Sequence, residues 1–447
     1  LFSRQGNLRE AQNEGMCIFF LPDGSRKDIL MKQTMKRSKR QHPLRVMVVG
    51  CGRAAAAHFK AIDYFERKNQ LVLTAIVDRD QKAIERTLLG RRSGSPTPMA
   101  ANDFKEVLAC QDIDICVIAT PPQTHASIGL AALEAGAHLI VEKPLALDRD
   151  DAYALCDAAR ERNLKIAVGL KYRYIPGVQE LKKWLNSGFI GDVLYGSVIV
   201  RWGHDQAYYD QAPWFGTWEA EGGALMNQSI HALDLMAWLM EGDPVRATAV
   251  LARQAHRIEA ADLAFGTLEL ASPQEECMKE NSSKFHDQPT PQAQPRLQTR
   301  LLNIEGTTST RPDVNEASFF IRGARGTLRA SLADGKPSVV AEDDTGHRYE
   351  KKLLLSAVKR HIKREGIGVL KELGHPMTFL YADFIDAIDD DRLPLVTGED
   401  GCAALENVLS LFYAAKEGKT VDLPIPPSFS LSHMKGFFDK RRSSLYD

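Results

Sequence analysis

The stretch "LRVMVVGCGRAAAAH", Leu44 to His58, opens on a short apolar run with β-branched valines. That is the composition of a strand buried on both faces. The alanine-rich run after Arg53 has helical composition. Between them Gly50, Gly52 and Ala55 fit the spacing G-x-G-x-x-G/A. A tight turn, a close backbone approach to a pyrophosphate and close helix–strand packing require small residues at those three places. The helix N-terminus adds amide donors and a partial positive charge for the phosphates. The next strand-like run, "LVLTAIVD", ends at Asp78, the spacing of a ribose-binding carboxylate. Together these features point to a dinucleotide site. Asp78 favours the free 2′-hydroxyl of NAD and repels the phosphate of NADP. Arg79 beside it would offset that repulsion, which leaves NADP as the alternative.

Beyond this unit, strand-like "DIDICVIAT", "AHLIVEK" and "LKIAVGL" alternate with helical "THASIGLAALEAG" and "DRDDAYALCDAARERN" as far as Leu170. Continuous apolar strands alternating with helices predict an α/β domain over 42–170, a doubly wound parallel sheet covered on both faces. After Lys171 the alternation stops. A helix at Val178–Ser187, the strand "VLYGSVIVRWG" and a helix over Gly222–Gly242 are followed by strand-like runs as far as "PSVVAED". They predict a second α/β domain over 171–424, with a large, mainly antiparallel open sheet closed by two late helices. Within it, 271–300 is rich in Pro, Gln, Ser and charge and reads as a disordered insertion in a hairpin. Residues 1–41 have no clear period and read as a mobile extension. Residues 425–447 read as a basic, amphipathic surface tail.

Composition narrows the function classes. A net charge of −1 over 447 residues gives no electrostatic argument for nucleic acid or a membrane surface. No segment reaches the roughly 18 apolar residues of a transmembrane helix. The seven cysteines (Cys17, Cys51, Cys110, Cys116, Cys156, Cys277, Cys402) are odd in number and lack CxxC spacing. That argues for a reducing, cytoplasmic setting and against structural zinc.

The helix "GGALMNQSIHALDLMAWLMEG" raises a separate question. At about 100° per residue, Asn227, His231 and Asp234 share one narrow arc of an otherwise apolar, hence buried, helix. A stripe of this kind is either a satisfied polar seam or a face turned toward a ligand. His231 and Asp234 show no third partner for a metal.

The chain resembles the Gfo/Idh/MocA family of oxidoreductases from about Leu44 to Pro424. The resembling residues are "VVGCGRAAAAH", "ATPPQTH", "AGAHLIVEKPLAL", "KYRYIP", "GGALMNQSIHALDL" and "DFIDAI". The resemblance implies a Rossmann domain joined to an open-sheet α/β domain. It implies an NAD(P)-dependent dehydrogenase acting on CH–OH donors, with Lys143 of "EKP" near the nicotinamide and His231 as acid/base residue. It also places Arg53, Thr120, Pro121, His125 and Glu142 beside Gly50, Gly52, Ala55, Asp78, Arg79 and Lys143 around the cofactor. Family members usually carry Asp four residues before the histidine. Here that residue is Asn227, which can position a group but cannot act as a base.

Oxidising a secondary alcohol requires removing its proton while hydride leaves the same carbon. Neutral His231 would be the base, with Lys143 stabilising the alkoxide. Alternatively Lys143, with a depressed pKa, would serve as the base itself. Substrate contacts are expected from Arg173, Tyr174, Arg201, Trp214, Trp218, Asn227, Gln228 and His231. The stretch "AYYDQAPWFGTWEAEGGALMNQSIH" is most similar to members acting on sugars and sugar nucleotides, with inositol-type polyols next. Two other readings are an NAD-assisted glycoside hydrolase and a non-catalytic dinucleotide-binding regulator. The pairing of Lys143 with His231 argues against the regulator. An open sheet with one uncovered face implies a homodimer or homotetramer.

Overall fold

In the computed structural model, which describes residues 42–271, 299–333 and 336–439, the first sheet is parallel throughout. Its strands are β1 (Leu44–Val49), β2 (Leu71–Val77), β3 (Met99–Ala101), β4 (Ile115–Ile118), β5 (His138–Val141) and β6 (Ile166–Val168). Every residue of β4 is buried, as expected for a strand covered on both faces. The spatial order is β3-β2-β1-β4-β5-β6. The order therefore reverses between β1 and β4, and ligands bind in the crevice at the carboxyl ends of such strands. The helix Ala55–Glu66 follows β1 and the helix His125–Glu134 follows β4, so both begin at that crevice.

The second sheet contains β7 (Val193–Trp202), β8 (Pro244–Ala252), β9 (Leu263–Leu270), β10 (Arg300–Thr307), β11 (Asn315–Gly323), β12 (Gly326–Ala333), β13 (Lys336–Asp343) and β14 (Val421–Asp422). Their order is β13-β12-β11-β7-β10-β9-β8-β14. All neighbours are antiparallel except β7 and β10, which run parallel. β9 and β10 pair from Leu270 opposite Arg300 to Leu263 opposite Thr307, so the two ends of the 271–300 segment close a hairpin. The body of that segment lies outside the described residues, as do the 1–41 extension and the last eight residues of the tail.

Alternation along these strands assigns their faces. Val198, Val200, Ala247, Ala249, Leu251, Leu268, Leu302 and Ile304 are buried, on the side of the helices Ile230–Met240 and Gly398–Glu417. Tyr195, Val250, Phe265 and Leu301 stand exposed. A third late helix, Glu350–Glu365, joins the two expected from the sequence. Its buried residues Leu353, Ala357 and His361 lie four apart in an otherwise strongly charged run. After Pro424 the chain does not run free over the surface. Phe429, Leu431, Met434 and Phe437 are buried in the core.

The helix expected over Gly222–Gly242 is not uniform. Leu225–Ser229 forms a single π turn, and the α-helix proper runs over Ile230–Met240. Ser229 Oγ donates to the carbonyl of Ala224, five residues back (3.1 Å). Turns of this kind are frequent at functional sites.

Candidate active site

A cavity of about 980 Å³ occupies the crevice and is lined from both sheets' domains. That volume is at the upper end for ligand pockets, with room for a dinucleotide and a second small molecule. Gly50, Gly52, Arg53, Asp78, Arg79, Thr120, Pro121, Glu142 and Lys143 line one side. Lys171, Tyr172, His204, Tyr208, Trp214, Glu221, Asn227, Gln228 and His231 are among the residues on the other.

The two glycines do different things. Gly50 has φ +100°, and a Cβ there would meet the Ala119 carbonyl oxygen at 2.5 Å, so only glycine fits. A Cβ on Gly52 would meet nothing within 4 Å. Its missing side chain leaves open the part of the cavity where the motif brings a pyrophosphate. Ala55 is fully buried at the start of its helix, the packing role expected of the third small residue. Asp78 closes the turn: Oδ2 accepts from the Cys51 amide (2.7 Å) and Oδ1 from the Asp80 amide (2.8 Å). The Asp78 carboxylate, an acceptor for hydroxyl groups, and the open cradle at Gly52 fit a dinucleotide with free ribose hydroxyls.

Lys143 follows β5. Its Nζ donates to both the main-chain oxygen and Oδ1 of Asn227, each at 2.6 Å. Asn227 Nδ2 donates in turn to Glu221 Oε1, and Glu221 Oε2 accepts from the Gly216 amide. Burial lowers the Lys143 pKa to about 8, with Lys171 and Arg53 acting in the same direction and Glu142 and Glu221 opposing them. Glu142 sits at about 2 although burial opposes its charge. The His58 Nε2 that donates to it (3.1 Å) and the cations Lys143 and Lys171 outweigh burial. Burial, and then Lys171 and Lys143, hold the His231 pKa well below its ordinary value, so its imidazole is neutral. His231 stacks on Tyr172, with ring centroids 5.2 Å apart. Its Nδ1 is buried with no partner among the described residues, which leaves Nε2 for the cavity. Gln228 Nε2 donates to Nε2 of His204, whose ring lies flat on Tyr208 at 3.6 Å. The Tyr208 hydroxyl accepts from Arg53 (3.2 Å).

Of the stripe on the long helix, Asn227 and His231 reach the cavity and Asp234 does not. Asp234 takes the guanidinium of Arg173 with both oxygens, at 2.9 Å and 2.5 Å, and Arg173 also donates to Asp400 (2.9 Å). Arg173 is therefore a buried brace, a correction to its expected place against substrate. Three further residues are corrected in the same way. Tyr174 is buried with its hydroxyl on Asp383 (3.1 Å). Arg201 lies on the second sheet and pairs with Glu305 (2.7 Å) and Glu316 (3.5 Å). Trp218 is 1% exposed and packs on Phe412 and Phe437. His125, expected at the cofactor, is buried with its ring nitrogens 2.9 Å from the carbonyl oxygens of Thr120 and Pro144. It can donate to one of them, which ties the "TPP" loop to the loop carrying Lys143. Lys171, Tyr172, His204 and Glu221 were not anticipated. Lys171 and Tyr172 stand within "KYRY", where a 3₁₀ turn brings these two to the cavity and directs Arg173 and Tyr174 to Asp234 and Asp383. Glu221 left one signal, an acidic residue at the head of an otherwise uncharged run.

The model of the oxidoreductase family described as having an NAD-binding Rossmann fold matches residues 44–170, and the model of the GFO/IDH/MocA C-terminal domain matches 178–278. Levoglucosan dehydrogenase of Pseudarthrobacter phenanthrenivorans is 34% identical over 144 residues, 32% of this chain and 36% of that protein. D-glucoside 3-dehydrogenase of Escherichia coli is 26% identical over 212 residues, 46% of this chain and 56% of that protein. The chain thus spans about a third to a half of the curated relatives it matches. Among solved structures, the WlbA dehydrogenase of Bordetella pertussis in complex with NADH and UDP-GlcNAcA is 26% identical with a TM-score of 0.69. That likeness covers 86% of this chain and 99% of that one.

Proposed function

Since the chain belongs to the Gfo/Idh/MocA oxidoreductase family, we propose that it is an NAD-dependent dehydrogenase acting on a secondary alcohol of a sugar, sugar nucleotide or cyclic polyol. The observation that carries this reading is that Lys143 and His231 open on the same cavity as the glycine turn and Asp78. Gly50, Gly52 and Asp78 would hold the dinucleotide, with Arg53, Thr120, Pro121 and Glu142 around it. When bound, the nicotinamide takes or returns the hydride, and the protein's part is position and proton handling.

We assign the proton to Lys143. A free amine has two N–H donors and one lone pair. With the donors directed at the two oxygens of Asn227, the lone pair is left for the alcohol proton. A pKa of about 8 keeps both protonation states accessible near neutral pH, the condition for an effective general base. Neutral His231 orients the same hydroxyl, and Trp214 and Gln228, which line the cavity, supply an aromatic face and an amide for the rest of the substrate. The likeness to a dehydrogenase solved with NADH and UDP-GlcNAcA makes sugar nucleotides the first class to try. The five cysteines among the described residues are free thiols, which supports a reducing, cytoplasmic setting.

The test is titration of NAD(H) and NADP(H), followed by NADH formation on a panel of sugar nucleotides, sugars and inositols. Tighter NAD(H) binding and turnover on one class are expected. Cofactor binding without turnover on any of them would favour the regulator. Glycoside cleavage without net NADH would favour the hydrolase.

A further inference from the structure

Resting on the dehydrogenase reading above, we propose that Glu221 is the positioning residue for Lys143, acting through the side chain of Asn227. The two ends of an amide have nearly the same shape and opposite hydrogen-bonding character. Only the oxygen end can accept from Lys143 Nζ, and Asn227 Oδ1 does so at 2.6 Å. What keeps that end toward the lysine is the opposite contact, in which Asn227 Nδ2 donates to Glu221 Oε1. An ionised carboxylate only accepts, so a flipped amide would set oxygen against oxygen at Glu221 and donor against donor at Lys143. Glu221 is itself fixed. Its Oε2 accepts from the Gly216 amide, and the residue is 4% exposed. One anchored carboxylate on the second domain therefore orients a lysine carried by the first.

Glu221 also acts on Lys143 by charge. The charged and titratable groups around the lysine are Glu142, Glu221, Lys171, Arg53 and His231. Glu142 and Glu221 favour the ammonium, while the two cations favour the free amine. Burial raises the Glu221 pKa, against the Gly216 amide, Lys143, Asn227 and Arg53, which favour its charged form. Tyr208 and Tyr209 are the other titratable groups close enough to feel it. The main-chain oxygen of Asn227 still holds Lys143 when the amide turns, so losing Glu221 weakens the site rather than emptying it.

The experiment is competitive acetylation of Lys143 with acetic anhydride across pH, read by peptide mass spectrometry on the full chain. It needs no substrate. In Glu221→Gln the midpoint should fall by on the order of one pH unit, because a nearby opposite charge is lost. Adding Asn227→Asp should return the midpoint to the parent value or above it, since it restores a carboxylate beside the lysine. Turnover of Glu221→Gln should drop about 10- to 100-fold, the effect of one charge-assisted hydrogen bond, with NAD(H) affinity kept. A parent-like midpoint in Glu221→Gln overturns the proposal. If that variant does not fold, Glu221→Asp withdraws the carboxylate by one methylene and keeps the charge. It should lose turnover with the midpoint unchanged, and parent-like turnover overturns the proposal. A shifted midpoint in a protein without hydride transfer on any substrate supports the coupling of Glu221 to Lys143 and defeats the dehydrogenase reading instead.

Discussion

Lys143 sits where burial, Lys171 and Arg53 push its pKa down against Glu142 and Glu221, and the balance falls at about 8. Replacing it with methionine keeps the length and removes the proposed base. We expect Lys143→Met to lower turnover by about 10²–10⁴, the usual worth of general acid–base help, with NAD(H) affinity within a few-fold of the parent. Steady-state rates and a fluorescence titration check this, and a loss below about tenfold would reassign the base. His231→Ala should cost less, since in the proposed mechanism the ring orients the hydroxyl without taking its proton. His231 stood out in the sequence as a polar residue on an apolar helix, whereas Lys143 was implied only by the resemblance carried by "EKP"; both line the cavity. Arg173, Tyr174 and Trp218 stood out equally and yet turned inward. A residue's type announces that it needs a partner, but whether that partner is a ligand or Asp234 depends on a turn only the fold provides.

The strand–turn–helix from Leu44 to Glu66 was readable because each of its small residues answers a different steric demand. Those demands separate under mutation. Gly50→Ala should destabilise by roughly 2 kcal/mol or more, combining a left-handed φ with the close Ala119 carbonyl. Gly52→Val should melt near the parent temperature and lose NAD(H) affinity, since its side chain enters only the cavity. Thermal melts and titrations distinguish the two, and equal loss of stability in both would mean the second glycine is structural. The brace between the turn Lys171–Tyr174 and the helix Ile230–Met240 makes another demand. Arg173→Met leaves Asp234 buried without its cation and should cost about 3–5 kcal/mol in denaturant unfolding. A stable variant with a raised KM would return Arg173 to the substrate. The π turn at Leu225–Ser229 could not be read from the sequence, because its composition matches an α-helix and the extra residue appears only when the turn is built. The helix Glu350–Glu365 was missed because its buried stripe is only one residue wide.

The parallel class of the first sheet and the mainly antiparallel class of the second were legible in the strand patterns, but the strand orders, with the crevice between β1 and β4 and the parallel β7–β10 pair, come only from the fold. What the molecule does with its outer sheet face is a separate matter. Val250 is 61% exposed, Phe265 50%, Tyr195 46% and Leu301 45%, all on the side of the second sheet away from its helices. We propose that this face joins a second copy of the chain, giving a homodimer or homotetramer. Light scattering at micromolar concentration should show the oligomer, and Val250→Glu with Phe265→Glu should dissociate it without large loss of thermal stability. A monomeric parent rejects the contact. The proposed site depends on the whole arrangement in another way, because Lys143 comes from one domain and Asn227, with its partner Glu221, from the other. The pH profile of kcat/KM for alcohol oxidation with NAD therefore reads the assembled site. The base must be the free amine, so the rate should fall as pH drops through about 8, and this limb should be absent from the residual activity of Lys143→Met. An oxidation rate that rises as pH falls through the same range, or a limb that survives in Lys143→Met, would contradict the assignment of Lys143 as the base.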